Sequence, residues 1–219
     1  MARPIAWPFA CGVVAAVLQL GFVLELVLPG EPSALSSQIS ELSAPGQAGA
    51  WLFRAFDVAS GLLVLAIVPG WHRVSRTVGV SLAIWGLGLA LAAVFSASCS
   101  DSLHVGCLGS GLPGPHTGIR DDLHDLGSIA SVLAVLLGLV AAGVVLRRHG
   151  DRRRGAVVLA LGMTCCLLGL VETVEDVLGV SPLRGVSQRG QVLLLSVGLV
   201  LLADPRRWPW AGARPRRRG

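Results

Sequence analysis

The chain has 219 residues, 53% of them hydrophobic and only 14% charged, with a mean hydropathy of +0.70. Soluble domains carry about 25% charged residues, so a chain this apolar lacks the polar surface to face water, and its length leaves no room for a separate soluble domain. The net charge of +5 does not indicate nucleic acid, because the basic residues are all arginine, most of them in short inter-helix loops and the tail, and no basic face interleaved with aromatics exists.

A membrane-spanning helix needs about 20 apolar residues for a hydrocarbon core roughly 30 Å thick. Six stretches meet that length and lack the period-two alternation of barrel strands. Helix one, about 5–28, stops at Pro29-Gly30. It exceeds a signal-peptide core of about 7–15 residues and no small-x-small cleavage site follows, so it reads as a retained signal anchor. A Ser/Pro/Gly-rich loop leads to helix two, about 50–69. The loop Trp71-His72-Arg73-Val74-Ser75-Arg76 precedes helix three, about 78–98. A long polar loop from Cys99 to Arg120 leads to helix four, about 121–146. The arginine-rich turn 147–154 leads to helix five, about 155–178, and helix six spans about 186–203. The expected organisation is an all-α, six-helix transmembrane domain over 1–204, followed by an Arg/Pro/Trp-rich cytosolic tail over 205–219.

Fourteen of the eighteen arginines fall at one set of helix ends: Arg3, Arg73 and Arg76, five between Arg147 and Arg154, and six from Arg206 onward. Basic loops stay on the cytosolic side, so both termini are expected in the cytosol of a plasma-membrane protein. Trp7, Trp51, Trp71, Trp208 and Trp210 near helix ends fit interfacial anchors. Gly86, Gly88 and Gly138 lie within spans, where small residues let helix backbones approach.

The opposite pole collects eleven of thirteen acids and His104, His116 and His124. Asp57, Glu172 and Glu25 lie inside predicted helix ends. Ionisable groups at membrane depth are costly unless paired or facing a cavity, which makes them functional candidates. Asp121, His124, Asp125 and Ser128 stand at i, i+3, i+4 and i+7 and share one face of helix four. Glu172, Glu175 and Asp176 form a second acidic stripe on helix five, and Arg54 with Asp57 a pair on helix two. A pocket from helices two, four and five is therefore expected, drawing on Arg54, Asp57, Asp121, His124, Asp125, Ser128, Glu172, Glu175, Asp176 and Arg189. Its catalytic candidates are His124, Asp57 and Glu172. A salt-bridge network that fixes helix packing explains the same residues. As metal ligands, His124, His116, Asp121 and Asp125 offer donors for zinc or another divalent ion, but no sharp motif such as H-E-x-x-H occurs.

Cys99 and Cys107 share an outer loop, where an oxidising compartment favours a disulfide. Cys11, Cys165 and Cys166 read as small apolar residues. Ser36, Ser37, Ser40 and Ser43 lack a neighbouring base or a G-x-S-x-G elbow and read as a turn-rich loop lying on the bundle.

The stretch Ser36-Ser37-Gln38-Ile39-Ser40-Glu41-Leu42-Ser43-Ala44 resembles the S-x-x-I-S-E-L-G-A outer loop of the domain-of-unknown-function 998 family of prokaryotic membrane proteins. Trp51 to Leu63, Ala93-Val94-Phe95, Leu123-His124-Asp125-Leu126-Gly127 and Gly185-Val186-Ser187-Gln188-Arg189 are similar to later segments of that family, in order. The likeness covers about residues 5–203. It departs after Phe95, where the family usually has Pro and Asp and this chain has Ser96-Ala97-Ser98-Cys99-Ser100-Asp101. The resemblance implies a six-helix integral membrane protein and no activity.

Two classes stay open on the residues alone. One is a non-enzymatic membrane protein that binds or stabilises something at the outer leaflet, with membrane lipids as partners and a homo-oligomer as a candidate assembly; it is preferred because the ligand spacing is not diagnostic. The other is a metal-dependent hydrolase acting on a lipid. A small transporter ranks third, since conspicuous mid-helix proline breaks are missing.

Overall fold

The computed structural model describes residues 7–28, 33–100, 102, 118–178 (without the side chains of 176 and 177) and 183–204. In lipid every backbone amide and carbonyl must be satisfied within its own segment, and each apolar stretch does this as a helix. Helix α1 is Trp7–Gln19, continued by a 3₁₀ segment Leu20–Leu26. A 3₁₀ turn Ile39–Ser43 follows, then α2 (Ala50–His72), α3 (Arg76–Val94), α4 (Ile119–Arg148), α5 (Arg152–Leu178) and α6 (Arg184–Ala203). With α1 counted together with its 3₁₀ extension, six helices are long and apolar enough to cross a membrane. No strand occurs among the described residues. The chain is an all-α six-helix membrane bundle.

Each helix packs on the next in sequence, and α6 returns against α1, so the six close into a ring. Leucines and valines such as Val17, Leu62, Leu87, Leu133 and Leu167 point outward and stay exposed, as a lipid-facing surface requires. Inside, Val64, Ile67, Trp71, Leu82, Leu139, Leu146 and Leu199 are fully or almost fully buried in one core.

Three seams of the ring run through paired glycines. A Cβ at Gly61 would sit 2.4 Å from the Gly86 carbonyl oxygen across α2 and α3. One at Gly127 would lie 2.8 Å from the Gly88 oxygen across α3 and α4, and one at Gly155 2.7 Å from the Gly143 oxygen across α4 and α5. The spacing of Gly86 and Gly88, two apart on α3, serves opposite neighbours. Lipid offers no hydrophobic drive for helices to associate, so close backbone approach supplies the dispersion contact instead.

The arginine-rich turns gather at one pole. Gly150, at φ +95°, ends α4 in a left-handed turn. The amide of Asp151 then reaches the Leu146 carbonyl at 3.0 Å, closing the turn into α5. Arg154 is buried and donates to the Leu201 carbonyl near the end of α6, where a cation also favours the helix dipole. The Trp71 indole donates to the Leu202 carbonyl at 3.0 Å. Arg154 and Trp71 thus tie two turns of this pole to α6, a role their sequence positions did not reveal.

The boundaries differ from the sequence reading in three instructive places. Helix α2 runs past Pro69 to His72, because a proline near the end removes one amide donor and leaves the final turn intact. Helix α3 ends at Val94 rather than 98, since Ser96 and Ser98 are drawn into bonds with α4 side chains. Helix α1 is not α-helical throughout: it tightens to 3₁₀ from Leu20.

Candidate functional site

At the acidic pole, opposite the arginine turns, a cavity of about 150 Å³ opens within the ring. Its walls come from α1, α2, α3, α4, α6 and the Ile39–Ser43 turn. The apolar part includes Trp85 and Leu89 of α3, Val132 and Val135 of α4, and Val192 and Leu195 of α6. The polar part includes Gln19, Asp57, His124, Ser128, Ser131, Gln188 and Gln191.

Asp57, picked from the sequence as an ionisable group at membrane depth, and His124, picked from the polar stripe of helix four, share one cavity, with Ser128 one turn below His124. The ring of His124 is held by Nδ1, 2.8 Å from the Ala92 carbonyl oxygen. A carbonyl only accepts, so Nδ1 carries the proton and Nε2 is left for the cavity. Asp57 makes no hydrogen bond or ion pair with any described residue, and neither does Nε2 of His124. Most buried polar groups in proteins have partners, so two such groups on one cavity mark it as a place for a bound species.

The expected contribution of helix five is not seen among the described residues: none of those on α5 lines this cavity, and residues of α1, α3 and α6 do. Glu172 and Glu175 are half-buried on α5 and do not line it. Asp176 lies in the same helix with its side chain outside the described residues. Asp125 is buried on α4 without lining the cavity.

Three other expected pocket residues are structural ties. Arg54 donates to the Ser43 carbonyl at 2.7 Å, holding α2 to the first loop. Asp121 accepts from the Ser98 amide at 2.7 Å and hydroxyl at 3.0 Å, while neighbouring Arg120 donates to the Ser96 carbonyl at 2.8 Å. Arg189 grips Glu25 through two bonds of 2.7 and 2.6 Å, donates to the Ser37 carbonyl, and lies 6.0 Å from the Phe22 ring centre. A bidentate Arg–carboxylate pair is the arrangement that makes a buried ion pair tolerable.

The serine-rich loop centres on Glu41, which is 4% exposed. Its Oε1 accepts from the Gln38 amide at 2.9 Å, and its Oε2 accepts from the Ser100 hydroxyl and the Ser102 amide and hydroxyl. Burial alone pushes the Glu41 carboxyl up, but the Ser100 and Ser102 hydroxyls and the Gln38 and Ser102 amides outweigh it and hold it below the ordinary carboxylate value. Glu41 thereby clasps the loop between α1 and α2 to the loop between α3 and α4 beside the cavity. The Ile39 amide donates to Oε1 of Gln188, so the same turn is tied to α6.

Among the described residues no three His, Cys, Asp or Glu side chains come together as a metal set. Of the expected donors, Asp121 is committed to Ser98, and His116 lies outside the described residues, as do His104 and Asp101. Cys107 also lies outside them, and with it the expected Cys99–Cys107 pairing; Cys11, Cys165 and Cys166 are free thiols. Gln19, Trp85, Gln188 and Gln191 also line the cavity without being marked by residue spacing, for uncharged residues inside apolar helices carry no topological signal.

No curated protein and no solved structure matches the chain. A family model described as "Protein of unknown function (DUF998)" matches residues 10–204. The match takes in all six spans, the Glu41 loop and every wall of the cavity, and the chain belongs to this family of unknown function.

Proposed function

We propose that this protein is a plasma-membrane binding protein of a prokaryotic cell, with both termini cytosolic and with the cavity in the outer leaflet, where it holds a lipid headgroup or similar small polar group without chemical turnover. The orientation rests on the arginine-rich α2–α3 and α4–α5 turns lying at the pole opposite the cavity. On that orientation the loop bearing Cys99 and Cys107 is exterior, and a disulfide between them is expected.

The observation that carries the reading is Asp57: a carboxyl inside a membrane span, on a cavity wall, with no described protein partner. Such a group is costly in a bilayer unless something meets it. A volume of about 150 Å³ falls below the roughly 300–1,000 Å³ of drug-sized ligand sites and suits a headgroup or a few waters.

Native mass spectrometry of the protein extracted from its own membranes tests this. One stoichiometric lipid adduct is expected on the wild type, reduced in Ser128→Leu, which fills the cavity, and in Asp57→Asn, which preserves its shape. Identical adduct patterns in all three proteins would overturn the reading.

A small transporter is the second reading. It is favoured by the change from α to 3₁₀ geometry directly after Gln19, a cavity wall: the 3₁₀ segment Leu20–Leu26 that closes the first span has 7 residues, longer than the roughly three or four usual for such a run. Saturable flux of a bound ligand in proteoliposomes would favour it over static binding. The metal-dependent hydrolase is not advanced, since the described residues assemble no ligand set.

A further inference from the structure

The cavity's polar groups are biased toward one hydrogen-bonding role. His124 commits its Nδ1–H to the Ala92 carbonyl, so in the neutral form of the ring Nε2 carries the lone pair. Gln191 donates through Nε2 to the Cys165 carbonyl at 3.0 Å; a carbonyl cannot donate, so the amide orientation is fixed and Oε1 remains. Gln19 donates through Nε2 to the Ser60 hydroxyl at 3.1 Å. That hydroxyl's own proton goes to the Ala15 carbonyl, 3.2 Å away, so Gln19 must be the donor and its Oε1 remains too. Asp57 adds two carboxyl oxygens without a described partner. Four helices thus each bring a residue with an uncommitted acceptor to the lining of one small space. Gln188, Ser128 and Ser131 are the exceptions: Oε1 of Gln188 accepts from the Ile39 amide, leaving a donor N–H₂, and the two serine hydroxyls can donate as well as accept.

We infer that the cavity recognises a primary ammonium group: Asp57 supplies the counter-charge, and His124, Gln19 and Gln191 accept its N–H bonds. A primary ammonium has three donors and no acceptor, which complements this set. A quaternary ammonium has the charge but no N–H, and would leave these buried acceptors without the N–H bonds a primary ammonium gives them, a loss that discriminates strongly. Trp85, 3% exposed and on the cavity wall, adds an aromatic surface of the kind that attracts cations. The Gln188 amide is left for an acceptor on the same ligand, as a phosphate beside an amine would provide. This inference rests on the binding reading above and adds the ligand's chemistry to it.

Binding to the purified protein in lipid discs, followed by thermal shift and by tryptophan fluorescence, separates the two levels. The probes are dihexanoyl phosphatidylethanolamine, dihexanoyl phosphatidylcholine, dihexanoyl phosphatidylglycerol and free ethanolamine. Saturable binding of phosphatidylethanolamine is expected, at least tenfold tighter than phosphatidylcholine or phosphatidylglycerol, and at least tenfold weaker in Asp57→Asn. Ethanolamine binding equally well would keep the ammonium assignment and make the free amine the ligand; weaker binding would assign it to the lipid. Equal affinity for phosphatidylethanolamine and phosphatidylcholine would overturn the ammonium inference while leaving the binding reading intact. Saturable binding of none of the four would overturn both. Should Asp57→Asn fail to fold, the comparison of headgroups on the wild type decides alone.

Discussion

His124 on α4 is fixed to the main chain of Ala92 on α3, with Nδ1 2.8 Å from the carbonyl oxygen. That one bond spans the α3–α4 seam, where Gly88 and Gly127 already bring the two backbones together. It also fixes which ring nitrogen meets the cavity. Packing and site geometry are therefore set by the same contact, and a change at either residue reaches the other.

The tautomer is set by that bond. Histidine ¹⁵N shifts of His124 at neutral pH are expected to report Nδ1–H with an unprotonated Nε2. The Nε2–H tautomer would contradict the assignment. His124→Ala is expected to destabilise the protein by roughly 1–3 kcal/mol, because the Ala92 carbonyl loses its buried side-chain donor; thermal unfolding in detergent checks this.

Glu41 predicts a pH dependence. Its carboxyl is held below the ordinary value of 4.5 by bonds made only in the fold. A depressed folded-state value means that the stabilisation is fully present above the unfolded value and disappears as pH falls through the folded one. Melting temperature is expected to drop below about pH 4.5 in the wild type. Glu41→Gln should flatten that drop and lower stability at neutral pH by roughly 1–3 kcal/mol, through donors left without a charged acceptor.

The glycine seams predict a graded series. Gly61→Ala places a methyl 2.4 Å from the Gly86 carbonyl, whereas Gly190→Ala meets only a flexible leucine end at 3.7 Å. The first should cost about 1–3 kcal/mol as an overpacking strain, and the second well under 1 kcal/mol. Equal melting temperatures for the two variants would show that α2 and α3 are not held this closely.

The Arg189–Glu25 pair, with both side chains 11% exposed, should behave as a buried ion pair. Glu25→Ala alone is expected to cost about 3–5 kcal/mol, because it strands the arginine, and Glu25→Met combined with Arg189→Met distinctly less. A double-mutant cycle on unfolding midpoints measures this; additive losses would mean that the two charges do not couple.

Much of this arrangement can be read from residue order. The number of spans comes from apolar length, and the arginine turns separate the two poles. The i, i+3, i+4, i+7 stripe on helix four does put His124 and Ser128 on the cavity, with Asp121 on the neighbouring Ser98. What spacing along one helix does not encode is which neighbour that face meets. Glu172 and Glu175 of α5 belong to an equally regular stripe, yet line no wall here, because ring closure places α1, α3 and α6 around the cavity. Glu41 has no local partner beyond Gln38: Ser100 and Ser102 lie about sixty residues away. The glutamines are silent in sequence because an uncharged amide in an apolar helix looks like any tolerated polar residue until its donor is seen to be taken by a neighbouring helix.

The most direct measurement is a structure of the protein taken from its own membranes into lipid discs, at a resolution that shows the cavity. Non-protein density is expected there, with hydrogen-bonding atoms about 2.7–3.2 Å from an Asp57 oxygen and from Nε2 of His124. An empty cavity, or an Asp57 carboxyl turned away to pair with an arginine of the bundle, would contradict it.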